Sequence, residues 1–151
     1  MIKPEILKGQ VLLEDLDEKE LQKIGSIIKE LTFKNGEYLF REREDTKGIY
    51  LIQSGKVEIS KTTPDGWKQT LAVLSPGHFF GELSIIEKRR HDASAIAIEN
   101  AEVLLIRKED FEKMENEDLL LASRIMKKLI LVLSKNLRRM NERFLNALIS
   151  Y

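Results

Sequence analysis

The chain has 151 residues, the size of one ordinary domain, and its 25 basic residues balance its 25 acidic residues. It contains no cysteine, which excludes disulfides, iron–sulfur clusters and thiolate zinc sites, and its mixed charges lack the basic field of a nucleic-acid binder. No apolar run approaches the roughly 18 residues that would span a bilayer, and Met1 to Gln10 lacks the apolar core of a signal peptide. We therefore expect a soluble, cytoplasmic protein with a single domain over residues 1–151.

Residues 1–30 form a helical zone. Asp17 is placed to cap a helix that begins at Glu18, and apolar residues then recur at spacings of three and four. This spacing predicts a helix with one buried face, formed by Leu21, Ile24, Ile27 and Ile28.

Residues 31–107 change to a period of two. Apolar residues alternate with polar ones in short segments that are separated by turn signals such as Lys34-Asn35-Gly36 and Pro64-Asp65-Gly66. The predicted strands lie at 31–33, 38–40, 49–52, 57–59, 69–74, 93–98 and 103–106. The glycines expected to supply positive φ at turns are Gly36, Gly55, Gly66 and Gly77. Many short strands at regular spacing predict a mainly β fold with flanking helices, a double-stranded β-helix (jelly roll) plus a long C-terminal helix.

Residues 108–151 are helical again. A short hinge helix is predicted from Lys108 to Met114, and Asn116 or Asp118 is placed to cap a helix from about Leu119 to Ile149. This second helix contains neither glycine nor proline, which favours its continuity.

The long helix carries two apolar stripes. Two series of residues at intervals of seven, one beginning at Leu119 and the other running from Ser123 to Tyr151, together contain ten positions. Nine of the ten are apolar, which is the pattern of a coiled-coil seam. A second stripe holds Ile125, Leu129 and Val132. We interpret the second stripe as packing on the β domain and the seam as the interface of a homodimer; alternatively, both stripes are monomer core. The predicted interface residues are Met126, Ile130, Leu133, Leu137, Met140 and Phe144.

Residues 76–97 contain Phe80-Gly81-Glu82-Leu83, a short segment and then Ala93-Ser94. This pattern resembles the phosphate-binding cassette of cyclic-nucleotide-binding domains, the family of catabolite activator proteins and protein kinase A regulatory subunits. The segments 49–57 and 74–77 resemble the same family, so the resemblance extends over the whole chain. It implies a sensor that binds cyclic AMP, cyclic GMP or a related anionic ligand and signals through a helical rearrangement and contacts with an unknown protein partner.

The resemblance assigns roles within the cassette. Gly81 would let the backbone approach a phosphate, the N–H groups of Leu83 and Ser84 would donate to it, and Glu82 would accept from a ribose hydroxyl. The residues expected to bind the ligand are Phe80, Gly81, Glu82, Leu83, Ser84, Arg89, Arg90, His91, Ala93 and Ser94.

The chain departs from the family at the phosphate-binding arginine. Without gaps, that position holds His91, followed by Asp92, whose negative charge opposes an anion. Two substitutes are open: Arg90 or Arg89 turns inward after a slip of one residue, or His91 is protonated by the phosphate. A smaller departure precedes the cassette, where Arg43-Glu44 replace the family's Gly-Asp pair. In the long helix, Ser134 lies about where relatives contact the base of the nucleotide.

Other chemistry has little support. The two histidines, His78 and His91, form no metal-ligand pattern with carboxylates, and no catalytic motif is found. We therefore expect no enzyme activity, no catalytic or metal-binding residues and no certain cofactor beyond a cyclic nucleotide.

Two alternative functions stay open. The first is a ligand-free dimer that acts as an interaction module. The second is the sensor half of a truncated transcription regulator, because a DNA-binding module would need residues beyond Tyr151.

Overall fold

Two four-stranded antiparallel sheets form the β region in this computed structural model, which describes residues 1–149. The strand orders are β1-β8-β3-β6 and β2-β7-β4-β5. The strands of the described chain are β1 (Lys29–Phe33), β2 (Tyr38–Phe40), β3 (Gly48–Ser54), β4 (Val57–Thr62), β5 (Lys68–Leu74), β6 (Phe79–Phe80), β7 (Ser94–Ala97) and β8 (Ala101–Arg107). The mainly β jelly-roll fold predicted from the sequence is thereby confirmed, together with the long C-terminal helix.

All seven predicted strands form, and one further strand was missed. Strand β6 has only two residues and pairs with β3 through Tyr50–Phe80 and Leu51–Phe79. Two residues are too few to show an alternating pattern, so the sequence carried no strand signal there. The predicted turn glycines all have positive φ: Gly36, Gly55, Gly66 and Gly77.

The central strand β3 separates two hydrophobic cores. Tyr50 and Ile52 lie in the core that the two sheets share, whereas Ile49 and Leu51 lie in a second core beneath the helices. Both faces of β3 are therefore buried, which explains why its sequence is a continuous apolar run rather than an alternation.

The N-terminal segment covers the second core with two helices and a 3₁₀ turn. These are α1 (Pro4–Leu7), the 3₁₀ turn (Val11–Leu13) and α2 (Glu18–Ile27). Asp17 caps α2 as predicted: its carboxylate accepts from the Glu20 N–H at 2.9 Å, and Glu20 accepts from the Asp17 N–H at 3.1 Å. This capping box satisfies two backbone donors that a helix start would otherwise leave free.

The short helix α3 (Glu82–Ile86) lies between β6 and β7. After β8 the chain forms the hinge helix α4 (Lys108–Glu117) and then the long helix α5 (Leu119–Ile149). Asp118 is the cap of α5, because its carboxylate accepts from the Leu121 N–H at 3.3 Å. The other candidate, Asn116, instead donates to the Glu112 carbonyl. The predicted seam position Tyr151 lies outside the described residues.

The two halves of α5 have different surroundings. In the first half, Ile125 and Leu129 are buried in the helical core, and Lys128 pairs with Glu14 at 2.9 Å. The apolar stripe thus packs on a layer in which the N-terminal helices take part, rather than on the sheets alone. Val132, the third residue of the stripe, is half-buried.

From Ile130 onwards, the predicted seam of α5 is largely uncovered. Four of its residues are 58–65% exposed, and Met126 and Leu133 are half-buried. The exposed four are Ile130, Leu137, Met140 and Phe144. The alternative in which both stripes are core of a single chain therefore does not hold in this structure. No helix among residues 1–149 has the length and apolar character needed to cross a membrane.

Candidate functional site

A cavity of about 270 Å³, here called the inner cavity, lies beside α3 and is closed on one side by α5. Eight of the ten residues predicted to bind a ligand line it: Phe80, Gly81, Glu82, Leu83, Ser84, Arg89, His91 and Ala93. The other two do not. Arg90 points to Asp45 at 3.2 Å, and the Ser94 hydroxyl accepts from the Glu42 N–H at 3.0 Å.

Gly81 determines how α3 begins. Its backbone is left-handed, with φ of 87° and ψ of −4°, immediately before the first helical residue. A Cβ at this position would lie 3.0 Å from the Gly48 carbonyl oxygen and 3.3 Å from a ring carbon of Tyr50. Any other residue would therefore meet backbone strain and crowding together. The N–H groups of Leu83 and Ser84 lie in the first turn of α3, where no intrahelical acceptor exists.

The end of α3 determines where the following arginines point. The Arg89 N–H donates to the Ser84 carbonyl at 3.1 Å and the Lys88 N–H donates to the Ile85 carbonyl at 3.3 Å, which is a Schellman arrangement. Lys88 holds the left-handed position, with φ of 53°, that glycine usually occupies. This turn brings Arg89 to the cavity wall and leaves Arg90 outside.

Carboxylates already surround Arg89. Its guanidinium contacts Glu87 at 2.5 Å and Asp92 at 2.7 Å, and its side chain is half-exposed. Asp92, which the sequence marked as unfavourable for an anion, is thus paired with the arginine that lines the cavity. An incoming phosphate would have to compete with these two carboxylates for the guanidinium.

His91 is packed rather than open to solvent. It is 4% exposed, its ring stacks on Phe40 with centroids 3.6 Å apart, and its Nδ1 lies 3.0 Å from the Ser84 hydroxyl. Its Nε2 is buried and has no hydrogen-bond partner among residues 1–149. Burial lowers the pKa of His91, and the nearby Glu44 carboxylate opposes that shift only in part. In this conformation His91 is a neutral packing residue that joins α3 to β2, so protonation by a phosphate would require the ring to move.

Glu82 is one of two acidic residues that line the inner cavity, the other being Asp92. Burial raises the pKa of its carboxyl group, with hydrogen bonding to its own backbone opposing the shift. A partly desolvated carboxyl group in this position is suited to pairing with a hydroxyl group of a ligand.

The loop that carries Arg43-Glu44 is hydrogen-bonded to the segment after α3, although neither of these residues is glycine. Arg43 adopts φ of 70°, and its N–H donates to the His91 carbonyl at 2.8 Å, while the His91 N–H donates to the Glu44 carbonyl at 3.1 Å. These two hydrogen bonds attach the loop to the segment after α3 and hold Arg43 in the left-handed region that non-glycine residues rarely adopt.

Several cavity residues were not predicted from the sequence. They are Phe40, Ile59, Leu74, Phe79, Asp92 and Asn136. Asn136 matters most, because it is the residue of α5 that reaches the inner cavity; Ser134, which we considered for that contact, is exposed and does not line it. The helical period alone could not decide whether Ser134 or Asn136 faces the cavity, since both residues come after the last residue of the buried stripe, Val132.

Comparisons with known proteins agree with this geometry. The sequence profile of the family described as "Cyclic nucleotide-binding domain" matches residues 30–118. The chain is 33% identical to the cyclic AMP receptor protein of Thermus thermophilus over 105 residues, which cover 70% of this chain and 49% of that protein. The chain thus spans about half the length of that curated relative.

Solved structures give the same result. The Thermus thermophilus catabolite activator protein superposes with a TM-score of 0.77 at 27% identity, over 89% of this chain and 62% of that one. The N-terminal domain of a transcriptional regulator from Streptomyces coelicolor superposes with a TM-score of 0.74 at 25% identity, over 92% of this chain and 94% of that one.

Proposed function

This chain belongs to the cyclic nucleotide-binding domain family, and we propose that it is a sensor that binds cyclic AMP or cyclic GMP in the inner cavity. The observation that carries the proposal is the left-handed Gly81, which opens the first turn of α3 towards that cavity. The N–H groups of Leu83 and Ser84 then supply donors for a phosphate, and Arg89 supplies the charge. Glu82 is placed to accept from a ribose hydroxyl.

Binding would reach the long helix through Asn136. This residue lines the inner cavity together with α3, so one ligand contacts the β roll and α5 at the same time. A ligand that binds more tightly when α5 is close shifts the helix towards that arrangement. The hinge helix α4 joins the two parts and would move with α5.

We propose that the active form is a homodimer through the seam of α5. The exposed positions Ile130, Leu137, Met140 and Phe144 recur with the 3.5-residue period of a coiled coil, and a second copy would bury them. Sedimentation equilibrium tests this. Leu137→Lys is expected to yield monomers, whereas the control Leu145→Lys, the same change on an exposed residue off the seam, is expected to leave the dimer intact. A monomeric wild-type chain would contradict the proposal.

One observation favours a second candidate function, a dimeric interaction module without a ligand. His91 replaces the family arginine and is enclosed, and Arg89 is already paired with Glu87 and Asp92. Because the chain spans about half of its curated relative, either function is compatible with the sensor part of a longer regulator. We further propose that the domain is not an enzyme and that it acts in the cytoplasm, as the regulatory nature of its relatives supports.

Calorimetric titration with cyclic AMP and cyclic GMP tests the sensor function. We expect binding to the wild type and a loss of at least about tenfold in Gly81→Ala, because the added Cβ meets strain and crowding where α3 begins. Gly66→Ala is the matched control: its φ is also 87°, but no atom lies within 4 Å of the added Cβ, and Gly66 does not line the inner cavity. Absence of heat and of any shift in melting temperature at millimolar nucleotide would favour the ligand-free module instead.

A further inference from the structure

A second and larger cavity adjoins the first. This outer cavity, of about 530 Å³, lies between β5 and the second half of α5. Four residues line both cavities: Leu74, Phe79, Glu82 and Asn136. These shared residues place the two cavities side by side, so a ligand long enough to extend past them would contact both.

One wall of the outer cavity is cationic. Lys135, Arg139 and Arg143 follow one another at intervals of four residues along α5, a stripe about 12 Å long. None of the three takes part in an ion pair within residues 1–149, unlike Arg124 and Lys128 earlier in the same helix. The positive charge on this wall is thus available to an anion.

The acidic lining does not balance these cations. Among the described residues that line the outer cavity, Glu82 is the one carboxylate, and burial raises its pKa. Apolar residues outside the α5 seam form much of the remaining lining: Val11, Leu71, Leu74, Phe79 and Val132. An anion that also carries flat, weakly polar rings would match both the cations and this apolar surface.

We propose that the two adjoining cavities take a cyclic dinucleotide, with one phosphate at the start of α3 and the second held by Arg139 and Arg143. The proposal rests on the inner cavity being a nucleotide site. A cyclic mononucleotide whose phosphate lies at α3 has no second anion for the cationic stripe. A linear polyphosphate would match the cations but would leave the apolar wall without a partner.

The test compares cyclic di-AMP and cyclic di-GMP with cyclic AMP, using the full chain and isothermal titration calorimetry at two salt concentrations. We expect at least one dinucleotide to bind about tenfold or more tightly than cyclic AMP and to weaken more steeply with salt. Arg139→Ala and Arg143→Ala are each expected to cost about tenfold in dinucleotide affinity and to leave cyclic AMP affinity unchanged. Alanine is the strongest helix former, so these exposed positions should tolerate the change, and thermal unfolding verifies it.

Arg138→Ala is the matched control. It removes the same charge from the neighbouring position of α5 but does not line either cavity. If Arg139→Ala and Arg143→Ala weaken dinucleotide binding no more than Arg138→Ala, the second anion site is refuted. Equal or tighter binding of cyclic AMP would refute the dinucleotide while the sensor function stands. If no nucleotide binds at millimolar concentration, both the sensor function and the dinucleotide site fail.

Discussion

Lowering the pH should destabilise the folded chain through His91. The ring is buried against Phe40, and desolvation lowers its pKa from the reference value of 6.5. Below pH 6.5 the unfolded chain therefore binds a proton that the folded chain excludes. The contribution of His91 is fully present above pH 6.5 and is lost as the pH falls towards the folded-state pKa, with a slope of at most about 1.4 kcal/mol per pH unit for one proton.

The variant His91→Phe isolates this contribution. Phenylalanine keeps a ring against Phe40 but cannot titrate, and it leaves the buried Ser84 hydroxyl without its partner, at a cost of about 1–3 kcal/mol that should not depend on pH. Glu82 has the opposite sign, because its raised pKa makes the folded chain lose stability as the pH rises above 4.5. Glu82 is present in both proteins, so its effect cancels in the difference between them.

The assay is urea unfolding of wild type and variant between pH 5 and pH 8, at one fixed chain concentration because dimer stability depends on concentration. The difference in stability between wild type and variant should be constant from pH 7 to pH 8 and should shift in favour of the variant as the pH falls below 6.5. If the free energies of unfolding of wild type and variant instead change in parallel with pH, His91 has the same pKa in the folded and unfolded chains. That result would refute the conclusion that burial keeps the ring neutral.

Three further predictions concern the scaffold. Ile125→Ala, at a fully buried position of α5, should lower the free energy of unfolding by about 2–5 kcal/mol, whereas Leu131→Ala on the exposed side should change it by less than about 0.5 kcal/mol, both measured by urea denaturation. Asp17→Ala removes the cap of α2 and should cost about 1 kcal/mol in the same assay; an unchanged midpoint would show that the capping box does not stabilise this helix. Lys88→Gly relieves a left-handed lysine at the end of α3 and should be neutral or stabilising by up to about 1 kcal/mol in thermal unfolding, because the glycine also makes the unfolded chain more flexible. A clear loss of stability in Lys88→Gly would argue against the strained turn.

The sequence by itself determined the local elements of this protein. The capped helix at Asp17, the alternating strands, the turn glycines and the uninterrupted α5 each depend on spacing within a few residues, and all of them form. The short β6 escaped because two residues carry no period. The segment around Gly81 could also be predicted as a ligand site, because its short pattern of residues is specific to one family.

Only the tertiary structure decided how the site is arranged. Arg89 and Arg90 are equivalent in sequence, but the turn at Lys88 brings one to the cavity and directs the other to Asp45. His91 is enclosed because β2 supplies Phe40 from about 50 residues away. The physical reason is the same in each case: short-range preferences fix the backbone of a segment, whereas burial and pairing of a side chain depend on distant elements that only the folded chain brings into contact.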